Sequence, residues 1–98
     1  MPLADQYDMD IVRNRTAETV QARVEELLAE GGKLCPCQEC VLDLVAYVLN
    51  RVSPHYTTSL LGSLHPEPAF DRKLKVEIEV AIAAGLKRLR QHPHHATR

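Results

Sequence analysis

Three closely spaced cysteines are the residues of this 98-residue chain with the clearest capacity for chemistry. They form the segment Cys35-Pro36-Cys37-Gln38-Glu39-Cys40, directly ahead of an apolar run with helical spacing. Thiolates this close together can converge on one small soft cation, and zinc binds sulfur at about 2.3 Å in tetrahedral geometry. Cys40 lies one helical turn beyond Cys37, and the start of a helix stabilises thiolates. The segment therefore predicts a structural zinc site held by Cys35, Cys37 and Cys40.

A tetrahedral zinc site needs a fourth ligand, and neutral imidazole is a standard one. We expect His94 to supply it, with His92 as the second choice and His65 as the third. A histidine from the C-terminal tail would tie the last helix to the start of the second. Such a closed site would add folding energy and leave no position for a reactive water. The alternative is that the cysteines are small buried apolar residues or a redox pair.

A second polar segment, Leu49 to Thr58, brings an amide, a guanidinium, an imidazole, a phenol and two threonine hydroxyls into ten residues. Arg51 can hold phosphate or guanine through two hydrogen bonds, Tyr56 offers a planar face, and Thr58 can reach phosphate. The structural alternative is that Asn50 and Arg51 cap a helix end while Tyr56 packs in the core. From the residues alone, the structural interpretation is favoured.

Several classes of function are disfavoured by what the chain lacks. No pair of nucleophile and base stands out, and Gly31-Gly32-Lys33 does not have the frame of a phosphate-binding P-loop, so we expect no enzyme. A net charge of −1 argues against nonspecific nucleic-acid binding. The basic end Lys87-Arg88 with Arg90 offers a local alternative, whose affinity would fall steeply with salt. No apolar segment approaches the roughly 18 residues of a membrane span, so a cytoplasmic protein without membrane contact is expected.

Three helices must position these groups. The predicted elements are a helix over residues 15–30 capped by Asn14, a helix from the cysteines to about residue 51, an extended segment over 56–61, and a helix from 70 or 71 to 91. Ile11 and Val12 either extend the first helix backward or form a separate short turn. The whole chain, 1–98, is expected to be one small all-α domain with a short extended segment.

The apolar stripes of the long helices are wide. For the last helix they comprise Leu74, Ile78, Ile82, Leu86 and Leu89, widened by Val76, Val80, Ala81 and Ala84. A chain of this length cannot cover such stripes fully, so a homodimer is the economical solution. A compact monomeric bundle is the alternative, because helix stripes alone do not determine the oligomeric state.

Taken together, the two polar segments resemble the ComFB family of late competence development proteins. The resemblance rests on the Cys35 to Cys40 cluster, on Asp43 and Ala46, and on Leu49-Asn50 leading to Pro54 and Tyr56. It implies a small, mainly helical homodimer that acts as a receptor for the second messenger cyclic di-GMP. Some members of the family bind zinc through the cysteines. A zinc-anchored protein–protein adaptor without a nucleotide ligand is the alternative, and the downstream partner is unknown.

The resemblance changes the interpretation of the second segment. It implies that Asn50, Arg51, Tyr56 and Thr58 bind the ligand. Other cations that can contact its phosphates instead are Arg13, Arg15, Lys33 and Arg72. The chain departs from its relatives in one respect, because some of them have a further cysteine late in the chain where this sequence has only histidines.

Overall fold

The computed structural model describes residues 1–58 and 68–91. In chain order, these contain two 3-10 turns, Leu3–Asp5 and Met9–Ile11, then β1 (Arg13–Asn14), α1 (Arg15–Glu30), α2 (Gln38–Leu49), β2 (Tyr56–Thr57) and α3 (Pro68–Gln91). The prediction of a small, mainly helical domain with a short extended segment is confirmed.

Helix α1 begins where the sequence places it. The side-chain oxygen of Asn14 accepts a hydrogen bond from the Thr16 amide at 3.1 Å, which satisfies one of the free donors of the first turn. The helix ends at Gly31, whose φ of 77° lies in the left-handed region that favours glycine. Ile11 closes a separate turn ahead of β1, so α1 does not extend backward.

Helix α2 is the central element and packs against both α1 and α3. Its residues Cys40, Leu44 and Val48 recur at a spacing of four and are all buried. They meet Val20, Val24 and Leu27 of α1 and Leu74, Ile78, Ala81 and Ile82 of α3 in one core. The burial of each of these leucine, valine and isoleucine side chains stabilises the fold by roughly 1.5–3 kcal/mol.

Helix α3 begins two residues earlier than the first of the two predicted starts, with Pro68 in its first turn, where a proline costs no hydrogen bond. The predicted inner stripe is buried or half-buried, but its predicted widening is only partly correct. Ala81 is buried, whereas Val76 and Val80 are 64% and 65% exposed. These valines project from the side of α3 opposite to the core, because they lie about half a turn from Ile78. Within the described ranges, no helix has both the length and the apolar character needed to cross a bilayer.

The turn after α2 is tied to both neighbouring helices. The Thr16 hydroxyl of α1 donates to the Ser53 carbonyl at 2.7 Å, and the Ser53 amide donates to the Glu77 carboxylate of α3 at 3.0 Å. The oxygen of Asn14 that caps α1 also accepts from the His55 amide at 3.0 Å. Next to it, β1 and β2 pair antiparallel, with Asn14 opposite Tyr56. The turn is therefore held in place by three residues that lie outside it, Thr16, Glu77 and Asn14.

We expect Thr16→Val to lower the free energy of unfolding by about 1–2 kcal/mol, because the Ser53 carbonyl loses its buried donor while the side-chain volume is kept. Thr16 is fully buried. The matched control is Thr19→Val, since the Thr19 hydroxyl is exposed and donates only to the Arg15 carbonyl one turn earlier. That control should change stability by no more than about 0.5 kcal/mol in urea unfolding. Equal losses in the two variants would contradict this role of Thr16.

Candidate metal centre and ligand cavity

The three cysteines converge at the start of α2. Their sulfur atoms all lie within 4.8 Å of one another, with Cys35 exposed, Cys37 half-buried and Cys40 buried. Tetrahedral zinc with bonds of about 2.3 Å holds its sulfurs about 3.8 Å apart, so small side-chain rotations suffice to bring these three into register. The donor set of three thiols is the soft type that zinc prefers. The structure thus fits the predicted metal at these three positions.

Backbone geometry explains why the sulfurs meet. Cys37 is the N-cap of α2, and its sulfur accepts a hydrogen bond from the Cys40 amide at 3.4 Å. This hydrogen bond is the main reason why the pKa of Cys37 lies below the ordinary thiol value. Burial raises the pKa of Cys40 to about 12, with further contributions from the Cys37 and Cys35 thiols beside it. A divalent cation among the sulfurs would replace their mutual repulsion by attraction and hold all three as thiolates.

The end of α3 lies next to the cysteines. A cavity of about 190 Å³ is lined by Cys35 and Cys40 together with Leu86, Leu89 and Arg90 of α3. The predicted fourth ligand, His94, and its alternatives His92 and His65 lie outside the described residues.

In residues 1–58 and 68–91, the group of side chains close enough to share a metal ion consists of the three cysteines. His55 is placed elsewhere. Its ring packs edge-on against Phe70 with 4.9 Å between the ring centroids. The imidazole therefore stabilises the contact between the turn and the start of α3.

A larger cavity of about 380 Å³ lies between α2 and α3. On one side it is lined by Asp43 and Tyr47 of α2 and by Asn50 and Arg51 of the turn that follows, and on the other by Gly85, Arg88 and Leu89 of α3. Asp43 and Tyr47 are four residues apart, so they share one face of the helix, and Asn50, its C-cap, continues that face. This face ends in Asn50 and Arg51, two of the four residues predicted to bind the ligand.

Arg51 has a defined position at the rim of the cavity. Its guanidinium carbon lies 3.5 Å above the centroid of the Tyr47 ring, and its Nη1 donates to the Tyr47 carbonyl at 3.1 Å. Such a cation–π contact is worth roughly 0.5–1 kcal/mol at an exposed site. It holds the guanidinium plane over an aromatic ring, where a flat ligand can stack or a phosphate can be bound.

Gly85 permits this cavity to form where it does. A Cβ at residue 85 would lie 2.7 Å from Cδ1 of Leu44 and 2.9 Å from Cδ1 of Tyr47. Helices α2 and α3 therefore approach closely at this point, and the Tyr47 ring lies directly on the α3 backbone. Arg88, one turn later on α3, brings a second guanidinium to the cavity.

The other two predicted ligand residues lie in or beside β2. Tyr56 is 65% exposed and pairs with Asn14, and Thr58 directly follows the strand. Neither is among the described residues that line the α2–α3 cavity. The core position that the structural alternative gave to Tyr56 is wrong, whereas its capped helix end is present, with Asn50 as the C-cap of α2 and Arg51 donating to the Tyr47 carbonyl. A ligand role of Tyr56 and Thr58 stays a prediction.

Sequence reasoning missed Tyr47 and Gly85, and it named Arg88 only as part of a basic end that could bind nucleic acid. The spacing of Asp43 and Tyr47 on α2, continued by Asn50 at its C-cap, could have indicated Tyr47. The positions of Gly85 and Arg88 depend on how α3 packs on α2, which the sequence pattern does not specify.

Comparison with known protein families gives a match over most of the chain. The late competence development protein ComFB family matches residues 13–93. Searches of curated proteins and of solved structures found no match. The family match covers more than four fifths of the chain and includes the cysteine cluster, the α2–α3 cavity and the turn after α2. The chain therefore belongs to the ComFB family of late competence development proteins.

Proposed function

We propose that the chain is a non-enzymatic, cytoplasmic signalling module that binds cyclic di-GMP as a homodimer and contains a structural zinc site. The observation that carries the ligand proposal is the α2–α3 cavity. It joins Asn50 and Arg51, two of the residues chosen from the family resemblance, to a second arginine and an aromatic ring.

The charges of the cavity suit a guanine nucleotide. Arg51 and Arg88 are cations that can pair with phosphate oxygens in two hydrogen bonds. In the part of the chain that the structure describes, neither forms an ion pair with a carboxylate. Three of the four other candidate cations, Arg13, Arg15 and Lys33, do form such pairs, with Glu18 or Glu30. Binding phosphate through Arg51 and Arg88 thus requires no ion pair to be broken.

Asp43 would give the cavity a preference for guanine over adenine. A carboxylate accepts hydrogen bonds, and the Watson–Crick edge of guanine offers two neighbouring donors, whereas the same edge of adenine offers one donor beside an acceptor. The volume of about 380 Å³ is at the low end of ligand pockets, which span about 300–1,000 Å³. One cavity therefore has room for part of a dinucleotide, which agrees with a ligand shared between two copies.

The zinc site supports this cavity from one end. We propose that Cys35, Cys37, Cys40 and His94 hold the metal, because Arg90 lies beside the cysteines and the chain continues from there towards His94. Four protein ligands would stabilise the contact between the start of α2 and the end of α3. The metal would supply folding energy in this site.

The test of the ligand is calorimetric titration of the purified protein with cyclic di-GMP, with GTP and cyclic di-AMP as comparison ligands. We expect binding of cyclic di-GMP at micromolar concentration or below, and a loss of at least about tenfold in affinity in Arg51→Ala and in Arg88→Ala, since each removes a charged hydrogen-bond donor worth about 1.5–3 kcal/mol. Lys75→Ala is the matched control, because Lys75 is an exposed cation of α3 that does not line this cavity.

The outcomes separate the possible functions. Absence of heat with the unchanged protein would eliminate the nucleotide proposal and leave the zinc-anchored adaptor. Binding that survives both arginine substitutions would move the site away from this cavity, towards Tyr56 and Thr58. Equal affinity for cyclic di-AMP would contradict the role given to Asp43.

A further inference from the structure

The first twelve residues form an exposed apolar segment, which we call the N-terminal arm (residues 1–12). All twelve residues are exposed, and neither of the two 3-10 turns in the arm contains a buried residue. The exposed fractions of its large apolar side chains range from 43% to 91%, in Met1, Leu3, Tyr7, Met9, Ile11 and Val12. A single exposed apolar residue is ordinary, whereas six within twelve consecutive positions indicate a surface for contact.

The arm also lies outside the part of the chain that matches the ComFB family, which begins at residue 13. The properties of the family therefore do not account for it. Its charged side chains are Asp5, Asp8 and Asp10, and it contains no lysine or arginine. The arm is thus both apolar and acidic, and it would fit a surface that is apolar and basic.

Such a surface exists on the outer side of α3. We call it the outer α3 stripe, and it consists of Lys73, Val76, Val80, Ala83 and Lys87, all of them exposed. The spacing of these residues places them on the helix face opposite to the buried Leu74, Ile78 and Ile82. The valines form an apolar centre with a lysine at each end. Among the ion pairs of the described residues, none includes either lysine.

The stripe is poorly suited to pair with itself. In an antiparallel pair of α3 helices, Lys73 would lie near Lys87 of the other copy, and in a parallel pair it would lie near the other Lys73. Both arrangements place like charges together around a small apolar centre, which is unfavourable. Two valines also bury too little area for a stable interface, which needs about 1,000 Å² or more.

We propose that the N-terminal arm of each copy docks on the outer α3 stripe of a second copy. The aspartates of the arm then pair with Lys73 and Lys87, and its apolar side chains cover Val76 and Val80. A two-fold axis makes the exchange reciprocal, so two arms and two stripes contribute to one closed interface. In the structure the arm is exposed along its whole length, so its own α3 does not cover it. The inference rests on the homodimer of the proposed function, and it is independent of the nucleotide.

The test uses two variants of the full chain with opposite changes of charge. The basic-arm variant carries Asp5→Lys, Asp8→Lys and Asp10→Lys, and the acidic-stripe variant carries Lys73→Asp and Lys87→Asp. All five positions are exposed, so circular dichroism should show unchanged helix content. By sedimentation equilibrium at low salt, we expect the unchanged chain to be a dimer. For each variant alone, we expect the dissociation constant of the dimer to be at least tenfold higher.

Mixing the two variants distinguishes exchange between copies from docking within one chain. In a mixed dimer, the basic arm meets the acidic stripe, and the acidic arm meets the basic stripe. We therefore expect an equimolar mixture to recover the dimer, as a heterodimer visible by native mass spectrometry. A monomeric unchanged chain would overturn both the dimer and the arm exchange. A dimer that both variants retain, or a mixture that stays monomeric, would overturn the arm exchange alone.

Discussion

Cys40→Val should remove the bound zinc and lower the free energy of unfolding by about 4 kcal/mol. A ligand that binds only the folded state stabilises it by about this much when its free concentration is a thousandfold above its dissociation constant, which is the zinc concentration to use. Elemental analysis should find about one zinc per unchanged chain and near none in the variant. The protein should be purified without a nickel column, so that foreign metal does not occupy the thiols.

Valine is the informative replacement because Cys40 is only 5% exposed. If the residue served only as a small apolar side chain, valine would keep most of the stability, whereas serine would bury a hydroxyl and lose about 1–3 kcal/mol. If it binds zinc, Cys40→Val and Cys40→Ser both lose the metal.

A chelator provides the control for the metal itself. The unchanged chain treated with chelator should unfold like Cys40→Val, and the variant should not respond to the chelator. A zinc-free unchanged chain, or one whose melting temperature does not change with chelator, would show that the cysteines have another role.

Gly85→Val should destabilise the protein by about 2–3 kcal/mol and also weaken nucleotide binding, because its side chain must displace Leu44 and Tyr47. Leu44 is fully buried, so it has no solvent-exposed space into which to move. The Arg51 guanidinium lies on the Tyr47 ring, so a shift of this ring moves that cation as well. Urea unfolding and the calorimetric titration measure the two effects.

Helix propensity alone predicts the opposite change in stability for Gly85→Val, so the direction of the measured change decides whether the clash exists. Valine is a better helix former than glycine by a few tenths of a kcal/mol, so without a clash Gly85→Val would stabilise α3 slightly. The matched control is Ala84→Val on the exposed side of the same helix turn, where only the propensity cost of roughly 0.6 kcal/mol is expected. If Gly85→Val were no less stable than the unchanged protein, the close approach of α2 and α3 would be contradicted.

The sequence was most informative where local chemistry determines the structure. Asn14 and Gly31 carry the signals for the two ends of α1, and the helix has the predicted bounds. The convergence of the three cysteines was also predictable, since an N-cap position and the residue three places later lie on one side of a helix start. These features depend on neighbours within a few residues.

The sequence was least informative where distant elements meet. Val76 and Val80 fit an apolar stripe by their spacing, yet the packing of α3 on α2 leaves them exposed. The cavity that contains Arg51 also needs Gly85 and Arg88, and their distance from α2 depends on the side chains between the helices. No pattern within one segment encodes that distance.

The shared oxygen of Asn14 has a consequence for hydrogen exchange. It accepts from the amides of both Thr16 and His55, which are far apart in the chain but joined at one atom. Any motion that displaces the Asn14 side chain frees both amides at once. We therefore expect the exchange of the two amides to share the opening that moves Asn14.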